Sequence, residues 1–262
     1  MTGKWKIALE KFLEGYEEDD DIIGAVLYDN YEEDNLGKKS SINIQIILSG
    51  GCTYRKIGSK KVGNFLVKYA MTPYYEIEND FKNDYSTGKS TITNMFGYGK
   101  IIFDLEGKVK TLQEKALEYL DKPLRVISNS DLQKNSYYIW NLYDELTTSL
   151  EIESECFYLI YYELITLILD SYCGFKEIAK LPKTWAYQIL TDNNFRVANN
   201  VFNVPEKAFI DFYKNCFIKD SKINMIKSIK FLMDYYYQRT GSFNIENFEL
   251  IENLEEKEND KY

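Results

Sequence analysis

The stretch that decides the reading is GAVLYDNYEEDNLGKKSSINIQIIL, residues Gly24 to Leu48. Ile22 to Tyr28 is a short β-rich run and Ile42 to Leu48 a second, with a polar segment rich in Asp, Asn, Glu and Gly between them. Apolar runs of this length bounded by turn residues predict strands. In the second run the polar side chains Asn43 and Gln45 alternate with Ile42, Ile44 and Ile46, so that both fall on one face of the strand.

Working outward, Trp5, Ile7, Ala8, Leu9, Phe12, Leu13 and Tyr16 predict an amphipathic opening helix that ends before the acidic run Glu17 to Asp21, which reads as a solvated loop. Val62 to Ala70 reads as a third strand after a hairpin through Cys52 to Ile57, and Lys100 to Asp104 as a fourth. Pro73 to Asp84 reads as a helix with Tyr74, Ile77 and Phe81 on its apolar face. From Val109 onward the period changes to three and four, over Val109–Asp121, Asp131–Leu150, Glu153–Tyr172, Pro182–Leu190, Glu206–Phe217 and Lys222–Arg239. The expectation is an α+β protein: a mixed-sheet domain over residues 1–108, a helical bundle over 109–245 and a charged tail over 246–262. Within the bundle, FYLIYYELITLILDSY reads as a central helix, and the consecutive tyrosines Tyr235, Tyr236 and Tyr237 must divide between core and rim.

Composition removes several classes of chemistry. The 262 residues contain no histidine, which excludes Ser-His-Asp and Cys-His catalysis and histidine-ligated zinc. A net charge of −9, from 32 Lys plus Arg against 41 Asp plus Glu, argues against a coat for duplex nucleic acid, which needs clustered cations to neutralise phosphates. Cys52, Cys156, Cys173 and Cys216 lack CxxC spacing and read as thiols, three of them in apolar helical contexts. The opening residues lack the apolar core of a signal peptide, and no run approaches the ~20 apolar residues that span a bilayer. The expected setting is cytoplasmic, without a membrane.

A helix, a strand beginning near a glycine, a polar turn and a strand of alternating polar and apolar residues resembles the nucleotidyltransferase fold of the DNA polymerase β superfamily. The two-domain plan is similar to the bacterial antibiotic nucleotidyltransferases of the kanamycin and lincosamide type. FGYGKIIFDLEGKV (Phe96–Val109) resembles the exit from their catalytic domain, SYYIWNLYDELTTSL (Ser136–Leu150) their first bundle helix, and LPKTWAYQIL (Leu181–Leu190) a Pro-Lys helix start. The resemblance implies a Gly-Ser turn that cradles phosphate, an acid-apolar-acid triplet that holds two magnesium ions, a third acid on a later strand, and often a dimer.

The departures fall on that chemistry. Asp29 and Asn30 stand where the family has Gly-Ser, Asn43 and Gln45 where it has the two acids, and Gly63 or Asn64, in VGNFLV, where it has the third. Two-metal transfer relies on carboxylates that fix both ions and offset their charge. An amide offers an oxygen but no charge. At an effective dielectric of about 20 and a separation of about 4 Å, each missing carboxylate takes roughly 8 kcal/mol of attraction from a divalent ion before solvation is counted. An aspartate at the phosphate turn adds repulsion.

The expectation is therefore a degenerate nucleotidyltransferase, a pseudoenzyme that retains the fold and acts by binding a nucleotide, a small molecule, a protein partner or a second copy of itself. It requires no cofactor. Asp29, Asn30 and Lys183 are the candidate nucleotide contacts; Lys183 follows Pro182 at a helix start, where backbone N–H groups favour anions. Glu145, beside Asp144, is the candidate base, against the plain alternative of a solvated helix face. The rival is an active enzyme in which Asp29, Glu76 or Glu78 takes the metals, moving a nucleoside monophosphate from a magnesium-bound nucleoside triphosphate to a hydroxyl on an antibiotic-like molecule or a protein. A helical interaction module on an α/β scaffold is the remaining alternative.

Overall fold

The computed structural model describes residues 4–16, 19–28, 41–124 and 127–251. Two compact units divide them: one spans 1–124 with 192–202, the other 125–191 with 203–262.

The first unit is built on a five-stranded mixed sheet of order β3-β4-β2-β1-β5. Strand β1 (Ile22–Leu27) runs antiparallel to β2 (Ser41–Leu48) and to β5 (Lys100–Asp104). On the other side β2 pairs in parallel with β4 (Phe65–Pro73), which pairs antiparallel with the edge strand β3 (Lys56–Val62). All six residues of β1 are buried, as its unbroken apolar run requires when both faces are covered.

Helix α1 (Lys4–Leu13) covers one face. Its spacing places Trp5, Ala8, Leu9, Phe12 and Leu13 on one stripe, packed with Ile42, Ile44, Ile46 and Leu48 of β2. The opposite face carries α2 (Tyr74–Ser86), α3 (Thr91–Tyr98) and α4 (Lys108–Asp121), whose Ile77, Phe81, Phe96, Val109, Leu112 and Ala116 close over Ile23, Val26 and Ile47. Asp84, buried on α2, accepts from the backbone N–H groups of Ile92 and Thr93 at 2.7 and 3.0 Å, which satisfies donors at the start of α3.

Two expectations need correction. The apolar stretch Val62–Ala70 is not one strand. Gly63, in the left-handed region at φ +60°, and Asn64 form the turn between β3 and β4. The sheet unit also does not end at residue 108. Helix α4 packs so closely on β1 that a Cβ on Gly24 would lie 2.2 Å from Val109 Cγ2. The unit therefore continues through α4 and also takes in α8 (Asn193–Ala198), whose first turn is capped by Asp192.

The second unit is helical, with α5 (Asn129–Glu151), α6 (Phe157–Phe175), α7 (Ala186–Thr191), α9 (Lys207–Asn215) and α10 (Lys222–Thr240). Its core is aromatic. Tyr172 stacks on Phe209 with centroids 4.1 Å apart, and Tyr161, Tyr172 and Tyr236 are fully buried. Helix α6 is the expected central helix, although Tyr158, Leu159 and Tyr162 remain exposed on it. Cys52, Cys173 and Cys216 are buried free thiols, and Cys156 is exposed at the start of α6. No helix among the described residues is long and apolar enough to cross a membrane.

Candidate functional site

The alternation of β2 does what its spacing predicts. The even-numbered isoleucines Ile42, Ile44 and Ile46 enter the core beneath α1, and Asn43, Gln45 and Ile47 take the other face. Gln45 is buried, 5% exposed, and its Nε2 donates to the Ile46 carbonyl at 3.1 Å. Asn43 is half-buried.

The flanking strands set the chemistry around this pair. In the parallel register of β4, Lys68 lies opposite Asn43 and Ala70 opposite Gln45; on β1, Val26 lies opposite Gln45. Ser59 and Ile57 of β3 extend the same two rows. Directly paired residues share a face of a sheet, so the amide pair is bordered by a lysine, an alanine and a valine rather than by a third acid. Asn64 is four residues from Lys68 and belongs to the β3–β4 turn, so it is not the strand residue beside Asn43. Among the described residues no group of three or more Asp, Glu or Cys side chains is placed to hold a metal ion.

The other sequence candidates are not gathered around β2. Asp29 and Asn30 lie outside the described residues. Glu76 is bonded to Arg55 at 2.7 Å, and Glu78 to Lys115 at 2.6 Å. Glu145 is exposed on α5 and accepts from Asn141 Nδ2 at 3.0 Å, one turn earlier. Lys183 is exposed in the turn before the six-residue helix α7, in the helical unit.

The helical unit has a polar centre that sequence reasoning did not isolate. Glu206, just before α9, accepts hydrogen bonds from the hydroxyls of Tyr172 and Tyr235, the second at 2.9 Å, and Lys176 and Arg239 approach it at 3.9 and 3.7 Å. Burial works against its charge, but the Tyr172 hydroxyl, a backbone N–H, the Tyr235 hydroxyl and Lys176 outweigh it and hold the carboxyl below the usual glutamate range. One acceptor thus ties α6, α9 and α10 together. Its sequence signal was faint, because partners spread over residues 172 to 239 leave no local motif.

No family model matches this chain, and no curated protein matches it. A solved structure that does match is a nucleotidyltransferase-like protein from Exiguobacterium sibiricum. It is 8% identical, with a TM-score of 0.46 over 90% of this chain and 75% of that one. At that identity the likeness carries no correspondence of residues.

Proposed function

We propose that this chain is a nucleotidyltransferase-like protein that has lost two-metal catalysis and acts by binding. The observation that supports it most is the setting of Asn43 and Gln45: two amides side by side on β2, with Lys68 and Ala70 in register beside them. In the fold that the sequence resembles, these positions need negative oxygens. Here the nearest paired group carries a positive charge, which repels a divalent ion and attracts an anion. The ligand class favoured at this face is a nucleotide or another phosphate-bearing small molecule, taken up without magnesium in a cytoplasmic setting. A homodimer or a protein partner is the alternative mode of binding. An active enzyme that used Glu76 or Glu78 would have to draw it away from Arg55 or Lys115.

Titration of the full chain with ATP, GTP and CTP, each with and without magnesium, tests the reading by heat and by melting temperature. Binding that is equal with and without the metal is expected. Changing both Asn43 and Gln45 to Asp should create magnesium affinity that the parent lacks. Transfer of AMP from ATP to any aminoglycoside, lincosamide or protein hydroxyl would end the proposal.

A further inference from the structure

The helical unit holds a groove of about 520 Å³ lined by Trp140 and Tyr143 of α5, by Lys230, Tyr237 and Gln238 of α10, and by Phe243 from the segment that follows. One wall is fixed by stacking. Phe243 lies on Tyr237 at 5.6 Å and 20°, and Phe248, 5.1 Å from Phe243, stacks on Tyr137 at 5.2 Å and 9°. The Tyr237 hydroxyl is committed as well, donating to the Ser136 carbonyl at 2.9 Å.

Three other lining groups are uncommitted. Among the described residues, the indole N–H of Trp140, the hydroxyl of Tyr143 and the side-chain amide of Gln238 make no hydrogen bond, and the Trp140 ring contacts no other ring. Trp140 is half-buried and lies at the edge of the groove, with part of its ring open to a ligand. Lys230 is ion-paired with Asp234 one turn away and lies 6.0 Å from the centre of the Tyr143 ring, so the groove adds no net charge. Aromatic walls, unused donors and acceptors and charge neutrality together suit a flat, uncharged ring with both a donor and an acceptor on its edge.

We infer that this groove is a nucleobase site, in which the base stacks on Trp140 while Gln238 and Tyr143 read its edge. Stacking of a base on an aromatic side chain is worth about 1–3 kcal/mol, and a glutamine amide supplies the paired donor and acceptor that a base edge presents. The site is separate from the β2 face and stands or falls without it.

Adenosine, guanosine, cytidine and uridine, which carry no phosphate, are titrated against the full chain while tryptophan emission is followed. At least one is expected to quench saturably. Trp140→Phe should abolish the quench although Trp5 and Trp185 remain, and Gln238→Ala should weaken binding about 5- to 10-fold. Gln238 is exposed, so that variant should melt with the parent. Changing Asn43 and Gln45 to Asp should leave nucleoside binding untouched. If ATP binding is weakened in Gln238→Ala but survives the β2 changes, the groove is its site and the β2 reading fails. The inference is also overturned if no nucleoside alters emission or melting up to about 10 mM, where binding is worth under about 3 kcal/mol. A quench that survives in Trp140→Phe, or affinity unchanged in Gln238→Ala, overturns it equally.

Discussion

The two units solve the same packing problem with different side chains. The sheet unit fills its core mainly with side chains that have no polar atom: on β2, Ile42, Ile44, Ile46, Ile47 and Leu48 are all fully buried, packed with Trp5, Phe12, Phe81 and Phe96 among others. The helical unit buries tyrosines. The Tyr236 hydroxyl meets Ser171 at 2.8 Å and Ser136 at 3.5 Å, Asn135 donates to the same Ser171 at 3.1 Å, and Tyr161 donates to the Cys216 carbonyl at 2.8 Å. A strand leaves its backbone groups to the neighbouring strands and can afford a wholly apolar side. A helix satisfies its own backbone, so specificity between helices must come from side-chain shape and from polar atoms that have only one set of partners. The stability of the first unit should therefore follow volume, and that of the second should follow hydroxyls as well.

Equal truncations give the largest effect and the first test. Phe12, buried beneath the sheet with rings of Tyr16 and Tyr69 at 5.1 and 5.3 Å, and Phe209, stacked on Tyr172, are both fully buried. Phe12→Ala and Phe209→Ala should each cost about 3–5 kcal/mol in denaturant melts. Removal of one oxygen separates the units. Tyr236→Phe should cost about 1–3 kcal/mol, because it leaves Ser171 and Ser136 short of a buried partner. A Tyr236→Phe variant as stable as the parent would mean that these hydroxyls are incidental to the packing.

The same contrast explains what could be read from the sequence. Strands β1 and β2 were legible because Ile22–Leu27 and Ser41–Leu48 are buried, and burial writes a hydrophobic pattern. Strand β3 was not, because KIGSKKV is an exposed edge whose lysines guard against pairing with another chain. The turn at Gly63 and Asn64 vanished inside a run of strand-forming residues, and with it went the correct neighbour of Asn43, Lys68. Helix α3 (TITNMFGY) was hidden because its eight residues carry two β-branched threonines, an isoleucine and, at Gly97, a poor helix former. Of the candidate site, the amide pair on one face was readable from spacing alone; its surroundings, the Glu206 centre and the Trp140 groove depend on contacts across long separations, which periodicity does not encode.

Glu206 supplies a smaller effect with a pH signature. Its folded pKa lies below the unfolded value of about 4.3, so its contribution is fully present above that value and is lost as pH falls through the folded one. Glu206→Gln keeps the shape and removes the charge. At pH 7 it should cost about 1–2 kcal/mol, since two tyrosine hydroxyls lose a charged acceptor that is itself part-exposed. The gap between variant and parent should then close as pH falls from the unfolded value through the folded one, in melts taken across the acid range. A gap that stayed constant with pH would show that geometry, not charge, matters at this hub.

The smallest effect is expected where the sheet unit does use charge. Arg55, just before β3, reaches Glu76 at 2.7 Å and Asp80 at 3.0 Å on α2, fastening the edge of the sheet to a helix. The guanidinium is about half exposed, so solvent already screens it. Arg55→Ala should cost only about 0.2–1 kcal/mol, and 1 M salt should erase most of the difference because the Debye length falls to about 3 Å. Arg55→Lys discriminates further. An ammonium has one nitrogen where the guanidinium uses Nη2 toward Glu76 and both Nη1 and Nη2 toward Asp80, so lysine should recover less than half of the loss. If Arg55→Ala instead cost as much as Tyr236→Phe, the sheet unit would depend on polar fastening as heavily as the helical unit, and the contrast between them would fail.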